Sequence, residues 1–157
     1  LNSDRAAELV KVHDDREDCY QNTALHYAAR EGYEECCRLL LKYDVDLICL
    51  KTELGSTPLL LAALNGKTKV VEMLINSKRG LEGISMQNKH GNTPLHNAAY
   101  YGHTKVVKLL LDTKQGLDSI SMQTKYGNTP LHLAAYQGHT DIVKCCSTPM
   151  KDVMLLK

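Results

Sequence analysis

The chain has 157 residues, 43% apolar and 24% charged, with a net charge of +1. That length fits one ordinary domain, and the near-neutral balance excludes the global basic field that advertises nucleic acid. No apolar run reaches the ~18 residues needed to span a membrane, and no signal-peptide pattern is present.

The remaining composition narrows the architecture. There are eight Tyr, no Phe and no Trp, so the core falls to Leu, Ile, Val, Ala, Met and Cys, which suits thin, closely packed helices. Residues 1–50 hold eleven acids and six bases, and residues 51–157 hold seven and thirteen. The two ends therefore present either differently solvated surfaces or surfaces for different partners. Six Cys stand at 19, 36, 37, 49, 145 and 146. Their spacing is not that of a disulfide framework, and they read as reduced core thiols of a reducing compartment, cytoplasmic or nuclear. The chain starts at Leu1, which reads as the start of a fragment or processed piece.

In chain order, SDRAAELVKV (Ser3–Val12) reads as an amphipathic helix with its N-cap at Ser3 or Asp4. A motif then recurs: NTALH at 22–26, STPLL at 56–60, NTPLH at 92–96 and NTPLH at 128–132, spaced by 34, 36 and 36 residues. Each copy is followed by an Ala pair, then Gly32, Gly66, Gly102 or Gly138, then a second apolar segment. Thr followed by Pro is an N-cap followed by a first helical residue that needs no N–H. Leu95, Ala98 and Ala99 share one helical face, the paired Ala admits a close neighbour, and Gly102 suits a left-handed C-cap. In the second segment Val106, Val107, Leu110 and Leu111 are expected to be buried, while Lys105 and Lys108 stay wet. Two-turn helices are marginal alone, but stacked copies bury a continuous core.

These residues closely resemble the ankyrin repeat family over about residues 19–147. The resemblance implies an all-α solenoid of helix-turn-helix units joined by β-hairpin-like loops. One domain over 1–157 would then hold an N-terminal capping helix (1–18), repeats at 19–52, 53–88, 89–124 and 125–147, and a C-terminal capping helix (148–157). Ala24 in place of Pro, and Leu60 in place of His, make the first two copies the weaker matches. Copies two and three carry extra residues, NSKRGLEGIS and DTKQGLDSIS. Either the second helix runs one turn further to Gly80 and Gly116 as C-caps, the favoured reading, or the loop bulges. In the fourth copy Ser147-Thr148-Pro149 is expected to break the helix and start a short cap, or to lead into a further domain.

Catalytic and metal chemistry find little support. His96 and His132 belong to the motif, where the family uses the imidazole structurally. No Cys or His pair stands at C-x₂-C or H-x₃-H spacing. Cys36 and Cys37 align with the core residues Val106 and Val107, which predicts buried, inert thiols, and no phosphate-cradling loop occurs. The expectation is a non-enzyme without cofactor or metal. Eight residues before each motif Thr, where the family is hydroxylated on Asn, stand Asp15, Cys49, Ser85 and Ser121, so that modification is not expected.

In the family, partners read the positions that vary between copies. By position the hairpin-tip pairs are Cys19-Tyr20, Glu53-Leu54, Lys89-His90 and Lys125-Tyr126. The helix-end pairs are Arg30-Glu31, Leu64-Asn65, Tyr100-Tyr101 and Tyr136-Gln137. One further helix position carries Tyr27, Leu61, Asn97 and Leu133. Stacked in register, these form stripes along one concave face. Tyr100, Tyr101, Tyr126 and Tyr136 are the expected anchors, although Tyr100 and Tyr136 also suit packing between repeats. Lys89, His90 and Lys125 would favour an acidic or phosphorylated protein segment. The expected function is a non-catalytic protein-interaction module. The alternative is a targeting or recruiting arm of a larger enzyme, channel or secreted bacterial effector. Membrane and small-molecule partners are not expected, and nucleic acid is a remote third.

Overall fold

The computed structural model describes residues 11–12 and 21–154, with side chains as far as 147. Most of the expected N-terminal capping helix, and residues 155–157 of the expected C-terminal one, lie outside the described residues. So do Cys19 and Tyr20 of the first hairpin tip.

Among the described residues there are nine α-helices, two 3₁₀ turns and no strand. The first helices of the repeats are α1 (Ala24–Glu31), α3 (Pro58–Leu64), α5 (Pro94–Tyr100) and α8 (Pro130–Gln137). The second helices are α2 (Glu34–Tyr43), α4 (Thr68–Ile75), α6 (Thr104–Leu111) and α9 (Thr140–Met154). A short α7 (Lys114–Ser119) lies after α6. The first helices stack on one another as an inner layer, and the second helices form a parallel outer layer.

Each first helix begins as its sequence dictates. The Oγ1 atoms of Thr57, Thr93 and Thr129 accept from the backbone N–H three residues on, at 3.2, 3.3 and 3.4 Å. Pro58, Pro94 and Pro130 come next as the first helical residues. The core is one continuous cluster in which Leu25, Leu59 and Leu95, Ala29, Ala63 and Ala99, and Val70 and Val106 are all but fully buried. Val107 and Leu110 are also buried, Leu111 is half-buried, and Lys105 and Lys108 are exposed, as their helical spacing requires.

Histidines strap the stack together. The His96 Nδ1 atom accepts from Thr93 N–H at 3.2 Å, and Nε2–H donates to Asn128 O in the next hairpin at 3.1 Å. His26 does the same toward Ser56 O and Leu50 O, each at 3.1 Å. In the opposite direction, His103 Nε2 reaches Leu64 O at 2.9 Å and His139 Nε2 reaches Tyr100 O at 3.0 Å. The His139 ring lies under Gly102, whose φ of +78° and missing Cβ, which would meet the ring at 2.7 Å, both require glycine.

Three expectations are corrected. The second helices do not run on to Gly80 and Gly116. Helix α4 stops at Ile75 and α6 at Leu111; a 3₁₀ turn (Gly80–Gly83) and α7 then form separate short pieces. Neither glycine has the positive φ of a left-handed cap. Instead the short piece doubles back onto the helix end, where a Cβ on Gly80 or Gly116 would stand 1.9 or 1.8 Å from Leu74 O or Leu110 O. The expected break at Ser147-Thr148-Pro149 is absent: α9 is continuous to Met154, so residues 148–154 extend the fourth repeat's own helix. A proline lacks the N–H for one helical bond, and Pro149 leaves that single bond unmade without ending the helix. Finally, Cys36 is exposed although Cys37 is buried. The residues matching Cys36 in later copies, Val70, Val106 and Ile142, are buried on helices that pack against the second helix of the repeat before.

Candidate functional site

The hairpin tips are joined by their backbones. Lys89 N–H donates to Leu54 O at 2.9 Å, and Lys125 N–H donates to His90 O at 3.0 Å. Each hairpin is closed internally: Asn88 N–H donates to Asn92 O at 3.0 Å, and Thr124 N–H to Asn128 O at 2.9 Å. The tips and the first helices therefore hold one register across repeats two, three and four, so side chains from separate repeats line a common space.

That space is an open groove of about 510 Å³, within the size range of ligand sites. Leu54, Leu60, Leu61, Leu64 and Leu133 give it an apolar floor, and Tyr100, Tyr101 and Tyr126 give it aromatic walls. Asn88, Asn92, Asn97, Asn128, Ser56 and Thr124 add neutral polar groups, and His90 also lines it. No Asp, Glu, Lys or Arg lines it. Tyr100 and Tyr101 pack edge to face with centroids 5.0 Å apart, and Tyr101 stacks beside His103 at 6.3 Å. Tyr101 is 54% exposed and Tyr126 is 81% exposed, so both rings offer free area.

Of the positions named from sequence, Leu54, Leu61, Leu64, His90, Asn97, Tyr100, Tyr101, Tyr126 and Leu133 meet at this groove. The others stand elsewhere. Arg30 pairs with Glu31 at 2.8 Å and lies over the Tyr27 ring at 5.2 Å. The Asn65 amide donates to Leu61 O at 2.8 Å. Lys89, Lys125 and Glu53 are exposed at the tips without lining the groove, and so are Tyr136 and Gln137 at the end of α8. Position counting missed Leu60, Ser56, Thr124 and the hairpin residues Asn88, Asn92 and Asn128. The signal for Leu60 was its departure from the motif: it stands where His26 and His96 make their straps, and it faces the groove instead.

The ionisable groups argue for structure. Burial holds the His96 imidazole below its ordinary 6.5. Burial pushes the Cys37 and Cys146 thiols up to about 11 each, which leaves them un-ionised and unreactive. Cys49 is raised by partial burial despite Arg79 nearby. Among the described residues no group of three His, Cys, Asp or Glu side chains is placed to hold a metal ion, and no helix is long and apolar enough to cross a membrane.

Comparison with known proteins agrees with this fold. A family model described as Ankyrin repeats (3 copies) matches residues 2–82, 43–121 and 81–146. Over 71 residues the chain is 35% identical to the Transient receptor potential cation channel subfamily A member 1 homolog of Caenorhabditis elegans. That match covers 45% of this chain and 6% of the relative, so the chain corresponds to a small part of that protein's length.

Proposed function

Because the chain belongs to the ankyrin repeat family, whose members are generally protein-interaction modules, we propose that it is a non-catalytic module that captures a segment of a partner protein in the groove between the hairpins and α3, α5 and α8. The observation that carries this reading is the convergence of Leu54, Leu64, Tyr100, Tyr101 and Tyr126, from three repeats, on one uncharged groove. Exposed tyrosines bring contact area and a polar tip at low entropic cost. Lys89 and Lys125 at the tips place positive charge at the rim, which suits an acidic or phosphorylated stretch flanking the seated segment. The five described cysteines are free thiols, which supports a reducing compartment, cytoplasmic or nuclear.

The test is a paired substitution. Replacing Tyr100 and Tyr101 with Ala is expected to cost about 2 kcal/mol of affinity for peptides selected against the parent, with little change in melting temperature. Undiminished binding by that variant refutes the assignment of this face. A second reading is favoured by the likeness to part of a channel homologue: the chain is a recruiting arm of a larger protein. The groove would serve the same purpose there, and the coding sequence on either side of this segment decides it.

A further inference from the structure

Asn97 is out of place. The equivalent position carries Tyr27, Leu61 and Leu133 in the other repeats, and Leu61 and Leu133 form the apolar floor on either side of it. Asn97 is 8% exposed. Its backbone is fully used, donating to Thr93 O at 3.2 Å and accepting from Tyr101 N–H at 3.1 Å. Among the described residues its side-chain amide has no hydrogen-bond partner. Yet among the described residues no side-chain N or O atom is both fully sealed from solvent and unpartnered, so the amide's polar atoms open to the groove, the space this side chain lines. A nearly buried amide on a leucine floor costs stability unless something completes its bonds.

We infer that Asn97 reads the backbone of an extended peptide seated in the groove, an inference that rests on the groove reading above. A carboxamide offers one acceptor oxygen and a donor NH₂ side by side. Every non-proline residue of a peptide carries one N–H and one C=O, and in an extended strand both project to the same side, where one carboxamide bonds the pair. Successive side chains of such a strand alternate in direction. Those flanking the Asn97 contact then enter the leucine floor near Leu61 and Leu64 or the tyrosine wall. The lining carries no Asp, Glu, Lys or Arg, so the seated residues are uncharged and apolar, and any acidic residues of the partner lie outside them, toward Lys89 and Lys125. Asn97 is thus a register pin that selects an extended backbone, while the leucines and tyrosines select its side chains.

The experiment starts with a phage-displayed library of random linear peptides panned on the full chain. The best binders are resynthesised with each backbone amide replaced in turn by an ester. Asn97→Leu is the matching variant, since Leu61 and Leu133 show that the position accepts leucine; its melting temperature is expected to equal or exceed the parent's. On the parent, one ester position is expected to lower affinity by about tenfold, the size of a good net hydrogen bond to a desolvated group. On Asn97→Leu the all-amide peptide is expected to lose a similar factor, and the ester to cost nothing more. If binders lose affinity on Leu64→Ser or Tyr126→Ser but bind Asn97→Leu unchanged, the backbone-reading role is overturned and the groove stands. Loss that tracks an Asn or Gln side chain of the peptide, with no ester effect, overturns it too. If panning yields no binder sensitive to any groove substitution, the groove reading fails, and this inference with it.

Discussion

Single positions in this array reveal their roles by comparison with their counterparts one repeat away. His96 and Leu60 occupy the same place, and Leu60 is only 2% exposed there, so leucine fits that place sterically. His96→Leu therefore isolates the bonds to Thr93 and Asn128 with little change of packing. It is expected to cost about 1–3 kcal/mol in chemical denaturation. Burial lowers the His96 pKa, so the unfolded chain takes up the proton more readily than the folded one. Its contribution is complete above the ordinary value of 6.5 and is lost as pH falls below it toward the lowered folded value. The parent's melting temperature is expected to fall across that window more steeply than the variant's. An equal slope in both proteins contradicts the assignment. The cysteines make a parallel case: exposed Cys36 is expected to be alkylated by iodoacetamide well before buried Cys37 and Cys146, as mass spectrometry of the peptides would report.

At the scale of the element, local sequence rules explain starts better than ends. The Thr-Pro cap and the glycine after each first helix were legible because each is a residue type matched to one backbone need. The short segment beyond each second helix was not. Gly80 and Gly116 are compatible with either a left-handed cap or a close approach, and only the packing of the short piece back onto Leu74 O and Leu110 O decides between them. Gly116→Ala, generally stabilising in an unstrained helix, is here expected to destabilise by about 1–3 kcal/mol, because the added methyl would stand 1.8 Å from a carbonyl oxygen. A neutral or stabilising result by thermal melt would mean that the short α7 moves freely. The run of α9 through Pro149 was equally illegible, since proline disfavours a helix interior without forbidding it.

Across the whole molecule, position in the stack governs how much a residue matters. Ala99 and Ala135 are the same letter of the motif, but Ala99 is fully buried between repeats while Ala135 is exposed at the described end of the array. Among the described residues, nothing lies within 4 Å of a Cβ placed on Gly127 or Gly138. Ala99→Arg is expected to cost about 4 kcal/mol or more, and Ala135→Arg to stay within about 0.5 kcal/mol, by urea denaturation of each. The same positional logic divides the candidate site. Variable positions could be counted from the motif, which found the three tyrosines of the groove. Counting gave Tyr136 equal standing, although its ring is exposed and does not line the groove. It also passed over the Asn and Thr side chains of the hairpins, because those residues lie outside the variable tip and helix-end pairs.

The most direct measurement is an amide chemical-shift map of the labelled chain titrated with a panned peptide. A single groove spanning repeats predicts shifts at Leu54, Leu61, Leu64, Asn97, Tyr100 and Tyr126 together, with Lys105 and Lys108 on the outer helices unmoved. Shifts confined to one repeat, or gathered on the outer layer, would contradict it.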